Sequence, residues 1–248
     1  MQIKFEFKTE NLILPINYNH IMHGVVINWL GNRNYQEFIH NSGYEYKNTI
    51  FKLYTFSELI GKYKILEDGR INFFDKVVFY VSAQDDKFLN YLIKNSVFSN
   101  EFRIIDQNIK INNIETYQIK HYKNEYYIKT LSPITVYSTF KTNNSKKTYY
   151  YNPREKDFKT MIKNNLIKKY ISYYKKEPEN LNFEIKTIGK SKQVLKRYKG
   201  FLIKGWIGKY KINGSDELIE IAFNTGLGSK NSQGFGMIKE DIYARSNL

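Results

Sequence analysis

The sequence predicts an α+β protein in which one order of elements, βαββαβ, occurs twice along the chain. Strand-like alternation and helix-like four-residue spacing follow each other in the same order in both halves. A length of 248 residues suits one large domain or two small ones, and 42% hydrophobic residues can fill two cores. Because βαββαβ is the ferredoxin-like unit, we expect two tandem ferredoxin-like domains, residues 1–120 and 121–248.

The first half begins with alternating apolar and charged residues, which favour a strand over residues 2–8. After Pro15, apolar residues recur at helical spacing up to Trp29, and a second helical stretch covers residues 35–40. The pair Asp68-Gly69 predicts a hairpin turn between two apolar runs. Further strands are expected at 51–56, 63–66, 71–81 and 102–117, and a helix at 86–96.

The second half repeats this order. Residues 126–140 are strand-like, interrupted by Pro133, and the apolar spacing within 154–174 predicts a helix. Strands at 183–188 and 198–210 flank a basic segment, 190–199, expected at a hairpin tip. Asp216 is expected to cap a short helix, 217–225, with Gly226 as the residue after its end. A strand over 234–242 closes the unit.

Residues 226–236 hold four glycines around a Ser-Lys-Asn-Ser core, in a chain of formal net charge +15. Glycine permits positive φ, and successive exposed N–H groups form an anion nest. The spacing fits neither a P-loop nor a dinucleotide fingerprint, so no cofactor is expected. We predict that the segment holds nucleic-acid phosphates; the alternative is a turn that only joins two elements. The predicted nucleic-acid contacts are Gly226, Gly228, Ser229, Lys230, Asn231, Ser232, Gly234 and Gly236.

Positive charge is concentrated in the second half of the chain. Residues 1–120 contain 14 Lys and Arg against 13 Asp and Glu, whereas residues 121–248 contain 25 against 11. Such asymmetry indicates a surface for a polyanion, although solvated lysines are the alternative. Five cations of the expected hairpin tip form a candidate track for the RNA backbone: Lys190, Lys192, Lys196, Arg197 and Lys199.

Several classes of protein are disfavoured. The absence of cysteine excludes disulfides, thiolate zinc sites and a cysteine nucleophile. The N-terminus lacks the apolar region of a signal peptide, and no run approaches the ~18 apolar residues of a membrane span. We therefore expect a cytoplasmic protein without a membrane partner. His20 and His23 are three residues apart but have no further ligand nearby in sequence, so no metal site is expected.

Three segments, 14–20, 131–134 and 226–237, form an ordered set: LPINYNH, LSPI and GLGSKNSQGFGM. Together they resemble the sixth Cas family of the RAMP superfamily, the CRISPR-associated endoribonucleases that cut repeat RNA in precursor transcripts. The resemblance spans almost the whole chain. It implies two ferredoxin-like domains, metal-free cleavage that leaves a 2′,3′-cyclic phosphate, and CRISPR repeat RNA as the partner. It also admits other subunits of a CRISPR effector complex as partners.

The resemblance also implies catalytic residues. Metal-free cleavage needs a base for the 2′-hydroxyl, an acid for the leaving 5′-oxygen and a cation for the phosphorane, and histidine titrates near neutrality. Family members use a histidine after the first helix and a lysine opening the next strand. Among the histidines at positions 20, 23, 40 and 121, His40 matches that place, as acid or base, and Lys52 matches the cation.

One family position does not match. Several members carry a catalytic tyrosine in the first helix, where this chain has Ile27. His23, one helical turn earlier, could substitute, as could Tyr44 or Tyr46. The alternative function is therefore a non-catalytic RNA-binding subunit of a CRISPR ribonucleoprotein. A third alternative is a basic assembly module for acidic partners. Two tyrosine runs, 149–151 and 173–174, could stack on bases, but such runs more often form a core.

Overall fold

The structure is a computed structural model that describes residues 1–99, 101–118, 125–142 and 145–241. No helix in this part of the chain is long and apolar enough to cross a membrane. The helices are α1 Asn19–Trp29, α2 Arg33–Glu37, α3 Asp86–Ser99, α4 Lys156–Tyr174 and α5 Asp216–Thr225. The strands are β1 Gln2–Pro15, β2 Tyr44–Tyr46, β3 Thr49–Phe51, β4 Tyr54–Phe56, β5 Ile60–Ile65, β6 Arg70–Ala83, β7 Glu101–Ile104, β8 Gln107–Tyr117, β9 Tyr126–Thr130, β10 Tyr137–Thr142, β11 Ser145–Tyr150, β12 Phe183–Tyr198, β13 Phe201–Gly214 and β14 Ile238–Glu240.

The first domain is an antiparallel sheet in the order β4-β6-β1-β8-β7, with β5 also paired to β6. Alternate residues of β1 (Ile3, Phe5 and Phe7) are fully buried, as the sequence pattern predicts. Trp29 at the end of α1 packs on Phe5 and on Phe102, with ring centroids 4.5 and 4.8 Å apart. The amphipathic α1 and α3 thus cover one face of the sheet.

The second domain has the sheet order β12-β13-β9-β14, with α4 and α5 packed on it. In both domains the second and third long strands form a hairpin, and the first strand lies between the third and the last. The same βαββαβ topology therefore occurs twice, and the predicted α+β class with tandem ferredoxin-like domains is confirmed. The expected boundary at residues 120 and 121 lies outside the described residues.

Several predicted elements differ in their limits. Most of the basic segment 190–199 lies within a strand and not at a hairpin tip: β12 continues to Tyr198, and only Lys199 belongs to the turn, Lys199-Gly200. A shift of pairing register between Ile188 and Lys192 lets the ladder continue through the segment. The predicted strand 51–56 is two strands separated by Lys52 and Leu53, because Leu53 has φ of 49°.

The cap of α5 is Ser215, not Asp216, since the Ser215 side chain accepts a hydrogen bond from Leu218 N. The last strand is shorter than predicted, because Gly234 and Gly236 take positive φ and keep that stretch in the glycine-rich segment. The predicted strand 126–140 is divided in two. Its first part is β9, and its last part belongs to β10, which forms a hairpin with β11.

The glycine-rich segment, residues 226–236, joins the two domains. Asn19 Nδ2 in α1 donates to Gly234 O at 3.2 Å. Thr55 Oγ1 in β4 donates to Phe235 O at 3.0 Å. Two elements of the first domain therefore pack directly against this segment of the second, as side-by-side domains require.

Candidate functional site

The four glycines of the segment take positive φ, between 71° and 82°. Their surroundings are crowded, however. A Cβ at Gly228 would lie 2.4 Å from Thr135 O, and one at Gly236 would lie 2.0 Å from Leu227 O. Gly228 and Gly236 therefore permit close packing of protein on protein. Contact of the glycines with RNA stays a prediction.

Several N–H groups of the segment are also used within the protein. Leu227 N donates to Gly236 O, Ser229 N to Thr135 O, and Gly236 N to Pro133 O, all at 2.8 Å. Pro133 belongs to the segment 131–134 of the ordered motif set. The two segments, 131–134 and 226–237, therefore occur together because they bond to each other. A nest that presents all its donors to an anion is thus not formed.

Asn231 stabilises the segment from inside. Its Nδ2 donates to Leu227 O and Phe235 O, and its Oδ1 accepts from Lys169 Nζ at 2.7 Å. Lys169 Nζ also donates to Gly226 O at 2.8 Å. Asn231, a predicted RNA contact, is therefore buried and engaged in protein contacts.

Lys169 is a buried lysine that the sequence analysis missed. Its side chain is 2% exposed, and its two acceptors are neutral oxygens. Burial alone lowers its pKa to about 7, because the charged form loses hydration. The signal was present: Lys169 follows Leu166 by three residues and so lies on the apolar face of α4.

The more accessible part of the segment lines a cleft of about 370 Å³ between the domains. The first domain contributes residues 49–54, including Lys52, and the second contributes α4 and the segment itself. Lys230 Nζ lies over the Tyr137 ring, 5.2 Å from its centroid. The polar and cationic residues lining the cleft include Lys52, Asn165, Lys168, Lys169, Lys230, Ser229, Ser232 and Gln233.

His40 lies in a π-helical turn, Phe38–Ser42, that continues α2, and its side chain is exposed as expected. Its Nδ1 is 2.7 Å from Asn41 Oδ1. Lys52 Nζ donates to the backbone carbonyl of His40 at 2.5 Å. Partial burial lowers the pKa of Lys52. The structure therefore brings together the two residues implied as catalytic.

His23 lies between the two domains. Its Nδ1 donates to Ser232 O at 2.6 Å and is 3.2 Å from Tyr54 Oη. Burial lowers its pKa, the bond to Ser232 opposes that shift, and the charges of Lys199, His40 and Lys52 lower it further. At neutral pH the ring is therefore uncharged, with the Nε2 lone pair free of the Ser232 bond.

The other candidates for the missing tyrosine are less suited. Tyr44 Oη donates to Asp85 Oδ2 at 2.5 Å, and burial raises its pKa. Tyr46 lies at the other end of β2 with Lys47 Nζ 5.5 Å from its ring centroid. Ile27 packs against the core of the first domain. His121 lies outside the described residues.

The five basic residues between positions 190 and 199 differ in their surroundings. Lys196 Nζ contacts Glu58 Oε1 of the first domain at 2.5 Å, so this cation is paired within the protein, and its contact with RNA stays a prediction. The side chains of Arg197 and Lys199 are exposed. Lys190 and Lys192 lie near the register shift, away from the turn.

Comparison with known proteins agrees with this architecture. The family model for the C-terminal part of CRISPR-associated protein Cas6 matches residues 115–240. The chain is 30% identical over 249 residues to CRISPR-associated endoribonuclease Cas6 1 of Methanocaldococcus jannaschii, covering 96% of this chain and 92% of that protein. It is 26% identical to CRISPR-associated endoribonuclease Cas6 of Pyrococcus furiosus, covering 94% and 86%.

A solved structure shows the same fold. The product of a Cas6-related gene from Pyrococcus furiosus superposes with a TM-score of 0.83 at 24% identity, over 98% of each chain. The matches in sequence cover both domains and all three segments of the ordered motif set. The chain therefore belongs to the Cas6 family of CRISPR-associated proteins.

Proposed function

We propose that this protein is an endoribonuclease that cuts CRISPR repeat RNA in precursor transcripts to make guide RNAs. The observation that carries the proposal is the contact between the His40 carbonyl and Nζ of Lys52, a residue that lines the cleft between the domains. The names of the relatives at 30% and 26% identity support the same activity. Repeat RNA is accordingly the partner, and other subunits of a CRISPR effector complex are further candidates.

The reaction is proposed to need no metal. The substrate 2′-oxygen attacks the adjacent phosphorus and gives its proton to His23 Nε2, which burial keeps uncharged. The bond from phosphorus to the 5′-oxygen breaks, and His40 supplies the proton that the leaving oxygen needs. The Lys52 ammonium stabilises the charge of the phosphorane. The products are a 2′,3′-cyclic phosphate and a free 5′-hydroxyl.

The RNA backbone is proposed to follow the cleft and then the end of the β12–β13 hairpin. Lys168 and Lys230 supply cations inside the cleft, with Ser229 and Ser232 as hydroxyl donors. Arg197 and Lys199 extend this surface. The glycines act indirectly, by letting the segment pack so that these side chains line the cleft.

His40→Ala tests the assignment directly. With repeat RNA in excess EDTA, wild type is expected to release a 2′,3′-cyclic phosphate, whereas His40→Ala loses at least about a hundredfold in rate and keeps its RNA affinity. A deoxy sugar 5′ of the cut should block wild type. Full activity of His40→Ala, or strict dependence on a divalent metal, would overturn the assignment.

Ile27 favours a second candidate, an RNA-binding subunit without activity, because it cannot transfer a proton. Under that reading, repeat RNA binds but is not cut by wild type under any of the conditions above. Ile27→Tyr would then be the informative variant: a gain of cleavage would show that only this group is missing.

A further inference from the structure

Asp85 joins β6 to α3 and uses both of its carboxylate oxygens. Oδ1 accepts from Lys87 N at 2.9 Å, and the Asp85 carbonyl accepts from Phe88 N at 3.1 Å. This is the geometry of a residue that caps the start of a helix. The Asp85 side chain is therefore fixed by the backbone of α3, which packs in the core of the first domain.

The second carboxylate oxygen of Asp85, Oδ2, accepts hydrogen bonds from two tyrosine hydroxyls. Tyr35 Oη donates to Asp85 Oδ2 at 2.6 Å, and Tyr44 Oη donates to the same oxygen at 2.5 Å. The two tyrosines are partly buried, and burial is the largest cause that raises the pKa of each. Both hydroxyls thus remain protonated donors at neutral pH.

These tyrosines flank the segment that carries His40. Tyr35 lies in α2, Tyr44 opens β2, and the π-helical turn Phe38–Ser42 lies between them. Phe38 packs on both rings, with centroids 5.9 Å from Tyr35 and 5.3 Å from Tyr44. Gly43 N donates to Phe38 O at 2.7 Å and closes the turn. The backbone on each side of His40 is thereby tied to one carboxylate oxygen.

We propose that Asp85 is a positioning residue that fixes His40 for RNA cleavage by holding Tyr35 and Tyr44 on either side of the π-helical turn. The proposal rests on the proposed function, in which His40 transfers a proton. Neither tyrosine needs to touch RNA. Without the shared acceptor, α2 and β2 can separate, and the His40 backbone can move away from Lys52 Nζ and take the ring with it. Misplacement of a catalytic group by about 1 Å can reduce a rate by about a hundredfold.

The double variant Tyr35→Phe/Tyr44→Phe removes both hydroxyls and keeps the rings on Phe38. Single-turnover cleavage of repeat RNA at saturating protein is expected to slow by about tenfold to a hundredfold. The Kd for RNA should stay within about twofold, because no RNA contact is removed. Adding Asp85→Asn should cost little more, since the three side chains share one interaction.

Tyr170→Phe is the matched control. Tyr170 Oη donates to Glu217 Oε1 at 2.6 Å, a similar bond that joins α4 to α5 in the second domain. This variant should keep the wild-type rate. An equal loss in Tyr170→Phe and the double variant would overturn the proposal, because general destabilisation would then explain both.

His40→Ala in the same series separates two kinds of failure. If His40→Ala is inactive while the double variant cuts like wild type, Asp85 does not position His40 and the proposed function stands. If His40→Ala cuts like wild type, the assignment of His40 fails, and the positioning proposal fails with it. If wild type does not cut repeat RNA at all, the proposed function itself fails.

Discussion

At the scale of one residue, His23 combines burial with a hydrogen bond to the other domain, which suits the role of base that we propose for it. It sits on α1, where apolar spacing would suggest a residue packed in the core, yet it bonds to Ser232 O in the second domain. That bond orients the ring and leaves Nε2 as the basic nitrogen. Burial keeps the ring neutral.

The pH profile of cleavage should show this base. Because the pKa of His23 lies below its ordinary value of 6.5, the single-turnover rate should be insensitive to His23 above that pH. The rate should then fall as the pH drops through the lowered pKa, since protonated His23 cannot accept the 2′-proton. Rates measured from pH 4.5 to 8 on repeat RNA test this.

His20→Ala is the control for that profile. His20 is on the same helix and is exposed, with Nδ1 3.1 Å from Asn17 O. In His20→Ala the fall in rate at low pH should be the same as in wild type. In His23→Ala the rate should be lower, and the fall at low pH should be absent. An unaltered profile in His23→Ala would show that another group is the base.

At the scale of an element, the glycine-rich segment acts as a structural support for the cleft. Lys169 and Asn231 hold it from inside, and its glycines allow the chain to approach Thr135 and the backbone of Leu227. Because the backbone of Thr135 and of Leu227 lies close to Gly228 and Gly236, we expect larger side chains at these two positions to destabilise the fold.

Gly228→Ala should lower the free energy of unfolding by about 2 kcal/mol or more, because strained φ and overpacking each cost about 1–3 kcal/mol. Gly69→Ala is the control, since Gly69 has φ of 78° but open space around its Cα. Gly69→Ala should show only the cost of the strained φ, without overpacking. Urea unfolding of both variants measures the difference, and equal losses would mean that the Thr135 contact relaxes freely.

Sequence patterns identified the elements well where one property decides the structure. Helix α4 and strand β1 have strong spacing, and both occur where expected. The candidate site was harder to predict from the sequence than the elements were. His40 and Lys52 were found by resemblance, but the engagement of Lys196 with Glu58 and of Asn231 with Lys169 depends on partners distant in sequence. Charge and glycine counts do not encode such pairing.

At the scale of the whole molecule, only part of the positive charge of residues 121–248 lies at the cleft between the domains, where Lys168, Lys169 and Lys230 are lining residues. Lys196 pairs with Glu58 across the domain interface, whereas Arg197 and Lys199 are exposed. The RNA surface that we propose is therefore smaller than the charge of the sequence would suggest.

Salt dependence of RNA binding should separate these groups. The variant Arg197→Ala/Lys199→Ala should reduce the slope of log Kd against log salt by about 1.4, since each contact with single-stranded RNA adds about 0.7. Lys196→Ala should change the slope little and lower stability instead. Filter binding between 50 and 400 mM salt provides the slopes.

Lys64→Ala/Lys94→Ala is the charge-matched control. Both lysines are exposed, and they lie in the first domain, where positive and negative residues nearly balance. It removes the same two charges and should leave the slope as in wild type. A similar drop in both double variants would indicate a general effect of net charge and would contradict contact at Arg197 and Lys199.

The bond between His23 and Ser232 also bears on how the protein folds. It connects positions 209 residues apart, and Asn19 reaches Gly234 across 215. Closing such long loops is entropically costly and slow compared with forming a helix or hairpin. Each domain can therefore gain its secondary structure before the cleft exists. During synthesis on the ribosome, the first domain must wait for almost the entire chain to emerge before its histidine meets the partner that orients it.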